Sequence, residues 1–180
     1  MKALILNSGL GTRMGVLTSE HPKCMTEISP RETILSRQLR QIADAGIGEV
    51  VITTGLFRDA LIAYCESLDL PLSFTFVHNP DFRETNYIYS VYCARAELDD
   101  DILLMHGDLV FETDVIDRIL ACETSCMAVS TTLPLPEKDF KAVIRDGKVQ
   151  KVGVGFFDGA VAAQALYKLK REDWKKFQNS

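Results

Sequence analysis

Apolar and polar positions alternate in blocks along this chain. Short β-rich apolar runs, 2–6 KALIL, 49–54 EVVITT, 72–77 LSFTFV, 102–106 ILLMH and 126–132 CMAVSTT, are separated by stretches with helical spacing. Between the first two runs Leu35, Leu39, Ile42 and Gly46 follow the 3.6-residue period, with Thr33 placed to cap the helix and Gly46 to end it. Leu61, Cys65 and Leu68 repeat the pattern before the third run, and Val115, Ile119 and Cys122 before the fifth. Strand and helix in alternation predict an α/β fold with a mostly parallel sheet covered on both faces. In such sheets ligands collect at the carboxyl ends of the strands. Two segments break the rhythm. AVIRDGKVQKV sets Asp146-Gly147 between two β-type runs and reads as a tight hairpin, a small antiparallel addition to the main sheet. AQALYKLKREDWKKF reads as a strand followed by an amphipathic helix from Glu172.

Length and charge narrow the picture. The 180 residues suit a single domain with a sizeable core. A formal net charge of −5 and the lack of a long basic run argue against nucleic acid as a partner, so an anionic substrate would need a local positive pocket. The five cysteines, Cys24, Cys65, Cys93, Cys122 and Cys126, show no C-x-x-C pair and read as reduced core thiols. The start MKALILNSG is too short for a signal-peptide core, and no run reaches the ~18 apolar residues of a membrane span. A cytoplasmic protein with no membrane insertion is the expectation.

Chemistry enters at NSGLGTRMG, residues 7–15, directly behind the first apolar run. A glycine-rich turn in that place usually cradles phosphate. A P-loop needs G-x-x-x-x-G-K-[ST], and no Lys-Ser or Lys-Thr follows these glycines. A dinucleotide fingerprint needs a third glycine where Met14 stands, and an acidic residue ending a second strand ~20 residues on. The region in question, HPKCMTEISPRET, is interrupted by Pro22 and Pro30.

LNSGLGTRMG followed nine residues after Arg13 by Pro22-Lys23 resembles the G-x-G-T-R … P-K signature of the nucleotidyltransferase superfamily, whose usual L-A-A-G is here Leu6-Asn7-Ser8-Gly9. MHGDLVF sets Gly107-Asp108 at the end of a strand, where that superfamily carries a metal-binding aspartate. NPDFRETNYIYSVYCARAEL resembles the N-x-x-[YF]-S segment of phosphocholine cytidylyltransferases and related CTP-using enzymes. The resemblance covers residues 1 to about 174. It implies a Rossmann-like, nucleotide-diphospho-sugar transferase-like fold, and an enzyme that transfers a cytidylyl group from CTP to a phosphocholine-like or aminoalkylphosphonate acceptor. Mg²⁺ is the implied cofactor, pyrophosphate the product, and a homodimer is compatible with it. A sugar-1-phosphate nucleotidylyltransferase using UTP or dTTP is the alternative, as is a nucleotide-binding module without turnover.

The resemblance gives each residue a role. Arg13, Lys23 and Asp108 are the catalytic candidates, and Asp108 is also the metal ligand. Leu6, Asn7, Gly9, Gly11, Thr12, Arg13, Thr85, Asn86 and Ser90 are the nucleotide-binding candidates. Physical chemistry supports the assignment. Glycines bring backbone N–H groups to phosphate oxygens, an arginine fork grips leaving phosphates, a lysine supplies a point charge, and Mg²⁺ prefers carboxylate and phosphate oxygens. Plainer readings stand beside these. The glycines could form a simple strand–helix turn, Asp108 and Asn86 could be helix caps, and the tyrosines at 87–92 could be core and rim. His21, His78 and His106 read as structural, with His106 the one placed near the site. Members of the superfamily commonly run past 220 residues with a second acidic metal-binding segment. This chain reaches REDWKKFQNS without one, so a missing C-terminal segment is expected.

Overall fold

The computed structural model describes residues 1–9, 21–155 and 157–178. In chain order these form β1 (Lys2–Asn7), a 3₁₀ turn (Lys23–Met25), β2 (Glu27–Ser29), β3 (Glu32–Thr33), α1 (Ile34–Asp44), β4 (Glu49–Thr54), α2 (Arg58–Ser67), β5 (Ser73–His78) and α3 (Tyr87–Ala94). A second 3₁₀ turn (Arg95–Glu97) leads to β6 (Ile102–His106), α4 (Thr113–Ala121), β7 (Cys126–Ser130), β8 (Lys141–Arg145), β9 (Lys148–Gly153), β10 (Ala160–Leu169) and α5 (Arg171–Gln178).

Eight of the described strands share one sheet. Its parallel part has the order β5-β4-β1-β6, with Leu4 opposite both Val51 and Leu104. Strand β10 then runs antiparallel to β6, and Tyr167 lies between Leu104 of β6 and Met127 of β7. Strand β7 therefore points the same way as β6, and β6–α4–β7 is a parallel crossover with β10 inserted between its strands. The other end of β10 pairs with β8, and β8 with β9. The predicted hairpin is present, with φ of 52° at Asp146 and 71° at Gly147, the left-handed pair that a type I′ turn needs.

Alternation along the strands explains why both faces are covered. Ala3, Ile5, Val50, Ile52, Leu103 and Met105 point to one side and pack with Leu35, Leu39 and Ile42 of α1, Leu61 and Cys65 of α2, and Ile116 and Ile119 of α4. Leu4, Leu6, Val51 and Leu104 point to the other, against Val91 and Ala94 of α3 and Trp174 of α5. Each buried Leu or Ile contributes ~1.5–3 kcal/mol of transfer free energy, so these two layers hold the sheet. Helix α1 begins as its sequence predicts. The Thr33 hydroxyl accepts from Ser36 N–H (3.0 Å), while Thr33 N–H donates to the Ser36 hydroxyl (2.9 Å). Gly46, with φ of 78°, follows its last turn. None of the described helices is long and apolar enough to cross a membrane.

In α3 Ile88 and Tyr92 are exposed, and the buried side is Ser90, Val91 and Ala94. The expectation that all five cysteines are core thiols is corrected. Cys24 and Cys65 are buried, and burial pushes the Cys65 thiol up to about 12. Cys93, Cys122 and Cys126 are only partly buried. Two lysines, finally, are core residues. Lys141, 0% exposed, donates from Nζ to the carbonyls of Pro136 (2.6 Å), Asp139 (2.8 Å) and Val154 (3.1 Å), with the Phe157 ring at 4.5 Å. Lys168 donates to the carbonyls of Leu120 and Cys122. An ammonium has three hydrogens, and Lys141 places them on carbonyls, tying loop 136–140 to the strand that follows it.

Candidate active site

The carboxyl ends of three parallel strands, β1, β5 and β6, meet at one cavity of about 340 Å³. Its floor is Leu6, Asn7, Ser8 and Gly9, where β1 ends. Strand β5 delivers Asn79, β6 delivers His106, Gly107 and Asp108, and α3 delivers Asn86, Tyr87 and Ser90. Pro22, Lys23, Phe82 and Thr85 complete the described lining. This is where a doubly covered parallel sheet presents ligand sites.

A chain of polar side chains fixes the back wall. Ser90, 2% exposed, shares a hydrogen with Ser8 at 2.5 Å, and the Ser8 hydroxyl also meets Thr53 Oγ1 at 3.3 Å. Asn79 Nδ2 donates to both Ser90 Oγ and Thr85 Oγ1, each at 3.0 Å, and Asn79 Oδ1 accepts from Asp81 N–H at 2.9 Å. Thr53 Oγ1 also accepts from Asn7 N–H at 3.0 Å. Removing any one member would leave a buried polar group unpaired, at a cost of ~1–3 kcal/mol.

Two glycines are demanded by close approach. A Cβ on Gly107 would fall 1.6 Å from Asn7 Oδ1, and one on Gly55 would fall 2.5 Å from the Ser8 carbonyl oxygen. The Asn7 side chain therefore lies over Gly107, and the Ser8 backbone over Gly55. Asn7 Nδ2 is buried without a partner among the described residues.

The charged pair sits in front of this wall. Lys23 Nζ reaches Asp108 Oδ2 at 2.6 Å, and the two side chains are 37% and 42% exposed. Asp108 is in a turn and caps no helix, since α4 starts after Glu112. Asn86 does cap α3, its Oδ1 accepting from Ile88 N–H at 2.9 Å, and it lines the cavity as well.

A second cavity, about 520 Å³, adjoins the first through the shared lining residues Tyr87, His106 and Asp108. Its far wall is the Leu133–Phe140 stretch and the part of β10 where the register against β7 shifts. Tyr87 packs on His106 (centroids 5.0 Å) and edge-on to Phe140 (5.9 Å). Burial holds the His106 imidazole below its ordinary value, the nearby Asp108 acting in the opposite sense. Burial raises the phenols of Tyr87 and Tyr167, the latter to about 12 with Tyr87 adding to the effect. All three rings are thus held neutral at physiological pH.

Of the residues singled out in the sequence, Leu6, Asn7, Gly9, Lys23, Thr85, Asn86, Ser90 and Asp108 come together around the first cavity. Gly11, Thr12 and Arg13 lie outside the described residues. Ser8, Asn79, Phe82 and Tyr87 were not singled out for the nucleotide side. Asn79 and Ser8 act through contacts to Ser90 from distant parts of the chain, which no local pattern signals.

The profile of the MobA-like NTP transferase domain matches residues 3–134. A CMP-5'-(3-aminopropyl)phosphonate synthase from Streptomyces rubellomurinus is 35% identical over 178 residues, which are 94% of this chain and 28% of that protein. A CTP:phosphoglutamine cytidylyltransferase from Campylobacter jejuni is 26% identical over 164 residues, 87% of this chain and 63% of that one. The chain thus spans less than two thirds of the length of either relative. The inositol-1-phosphate CTP transferase of T. maritima shares the fold with a TM-score of 0.80 at 18% identity, over 99% of this chain and 74% of that one.

Proposed function

Since the chain belongs to the MobA-like NTP transferase family, we propose that it transfers the cytidylyl group of CTP to a small acceptor carrying a phosphonate or phosphate, of the aminoalkylphosphonate or phosphocholine type. Pyrophosphate is the second product. The observation that supports this most is the Lys23–Asp108 pair, at 2.6 Å, in which Lys23 lines the first cavity and Asp108 lines both. Reaction at α-phosphorus needs a nucleotide on one side and an acceptor oxygen on the other, and Asp108 faces both cavities. Two cytidylyl-transferring relatives, one of them a phosphonate synthase, favour CTP and that acceptor class.

The step needs no enzyme nucleophile. An acceptor oxygen forms a bond to the α-phosphorus, the bond from α-phosphorus to the bridging oxygen breaks, and its electron pair leaves with pyrophosphate. Positioning and charge then supply the catalysis. The Lys23 ammonium meets the α-phosphate or the acceptor anion, and Arg13 is proposed for the leaving phosphates. The N–H groups and carbonyls around Leu6–Gly9, with Thr85 and Asn86, face the base. Ser90 and Asn79 keep that wall in place rather than reading the base, because their polar atoms already serve one another. The acceptor's organic end occupies the second cavity among Tyr87, Phe140 and Tyr167, whose faces suit an ammonium group.

Asp108 is a fit ligand for Mg²⁺, which binds through one or two carboxylates plus substrate phosphates. No group of three His, Cys, Asp or Glu side chains suited to a metal occurs among the described residues, so the triphosphate would supply the remaining oxygens. Bound there, Mg²⁺ neutralises charge that develops on the phosphates.

The test is Asp108→Asn with CTP and 2-aminoethylphosphonate. The wild type is expected to release pyrophosphate with Mg²⁺, and the variant to lose that release by a hundredfold or more. A chain that binds CTP but releases nothing in either form is a binding module, and the proposal fails.

A further inference from the structure

Beneath the site, α1 grips the loop that holds Asp108. Gln38, 1% exposed, donates from Nε2 to the carbonyl of His106 (2.9 Å) and to that of Leu109 (2.7 Å). One turn on, Gln41 Nε2 donates to the Phe111 carbonyl (3.2 Å), which also receives Arg37 Nη2 (3.3 Å). Leu109 N–H donates to the His106 carbonyl as well (3.2 Å). The Gln38 amide therefore closes a tight turn whose tip is Gly107-Asp108.

Both hydrogens of the Gln38 amide nitrogen are placed on these carbonyls, while its Oε1 is buried without a partner among the described residues. An apolar side chain of similar volume would avoid the cost of that unpaired acceptor but would leave the carbonyls of His106 and Leu109 without this donor. The amide is thus accounted for by the turn it closes, and Gln41 Oε1 is buried without a partner among the described residues in the same way. The same helix also supports the other member of the charged pair, for Ile34 N–H donates to the Thr26 carbonyl (3.1 Å) just past the Lys23–Met25 turn. Two turns that meet at 2.6 Å through Lys23 and Asp108 are thus both tied to α1.

We propose that Gln38 is a positioning residue. It fixes the Gly107-Asp108 turn so that the carboxylate stays at the Lys23 ammonium and faces the cation that accompanies the triphosphate. The inference rests on the cytidylyltransferase reading for its use, but its geometry can be tested without it. Gln41 is the internal control. It too is buried on α1 and donates to a carbonyl, yet its acceptor, Phe111, lies beyond the turn.

Gln38→Met keeps length and volume and removes the donors. Hydrogen exchange, CTP binding as a function of MgCl₂, and pyrophosphate release are measured on Gln38→Met, Gln41→Met and the wild type. For Gln38→Met, amide exchange at residues 106–109 should rise. The Mg²⁺ concentration for half-maximal CTP binding and turnover should rise about tenfold, the scale seen when partners of metal ligands are removed. Affinity for CTP at saturating Mg²⁺ should be unchanged. Gln41→Met should lower the melting temperature and leave both the exchange at 106–109 and the Mg²⁺ midpoint in place. Gln38→Asn keeps the amide and loses its reach, so it should shift the midpoint in the same sense, and it replaces Gln38→Met if that variant fails to fold. An unmoved midpoint in the Gln38 variants, or an equal shift in Gln41→Met, overturns the assignment. A wild type that releases no pyrophosphate sinks the cytidylyltransferase reading instead, while exchange and Mg²⁺-dependent CTP binding still decide the role of Gln38.

Discussion

The parallel and antiparallel parts of the sheet are built under different rules. In β1, β4 and β6 almost every side chain is buried, because helices cover both faces. In β9, Lys148 to Val152 are all exposed, and the hairpin it forms with β8 projects Val149 and Val152 into solvent. The first cavity takes its floor from the ends of β1 and β6, where Gly107 has no room for a side chain against Asn7. The second cavity takes its far wall from the Leu133–Phe140 loop, anchored by one buried lysine. Such a loop can change sequence without disturbing the sheet. If the first cavity takes the nucleotide and the second the acceptor, as proposed, the comparison implies that the two choices are separable, and mutations should separate them.

The largest effect is expected at the Lys23–Asp108 pair. Lys23→Ala should lower the turnover number a hundredfold or more, the ~3–4 kcal/mol typical of one lost preorganised charge. Its melting curve should match the wild type, since the side chain is partly exposed. A full-speed Lys23→Ala would remove the pair from the mechanism. Next come changes inside the rigid wall. Gly107→Ala and Gly55→Ala meet Asn7 and the Ser8 carbonyl, and should each destabilise by about 1–3 kcal/mol in urea unfolding, as overpacking does. Weaker CTP binding should accompany the loss. If either is neutral, the wall is softer than its distances imply.

On the acceptor side the expected effect is smaller and of a different kind. Phe140→Ala removes a ring that packs edge-on against Tyr87. It should raise KM for the acceptor several-fold, in line with the ~0.5–1.5 kcal/mol of an aromatic pair, and leave KM for CTP in place. Equal movement of both constants would break the separation of the two halves.

The least effect at neutral pH comes from the acidic cluster behind α5. Arg171 holds Asp99 below the usual carboxylate range, helped by Lys175, and Lys170 does the same for Asp101, whose other oxygen accepts from Arg171 N–H. A carboxyl with a folded pKa below its unfolded value contributes stability that is complete above that unfolded value, ~3.9 for Asp. The contribution is lost as pH falls through the lower, folded value. The buried Trp174 of α5 is the only tryptophan of the chain and reports on that docking. Its fluorescence should hold steady down to about pH 4 and change below it, and Asp101→Asn should weaken the acid transition.

Much of this was legible in the sequence because local chemistry enforces it. The runs that became β1, β4 and β6 are apolar enough to be buried on both faces, Thr33 and Gly46 bound α1 by capping and by positive φ, and Asp146-Gly147 permits only a tight turn. Lys23 and Asp108 were each legible through the resemblance of their motifs, but not that their side chains meet. What could not be read was set across the sheet. The insertion of β10 between β6 and β7 depends on pairing over long separations. Asn79 and Ser8 matter only because Ser90 arrives beside them. Gln38 stands among apolar neighbours on α1, and its acceptors lie about 70 residues away. Lys141 and Lys168 carry charge, so a pattern of apolar positions leaves them outside the core they occupy.

One assay bears on the central claim most directly. Pyrophosphate release is followed with Mg²⁺ while CTP, UTP, dTTP, ATP and GTP are each crossed with 2-aminoethylphosphonate, phosphocholine and glucose-1-phosphate. Release with CTP alone, and with the phosphonate or phosphocholine rather than the sugar phosphate, is the predicted result. Release from UTP or dTTP with glucose-1-phosphate would contradict it and make the chain a sugar nucleotidylyltransferase.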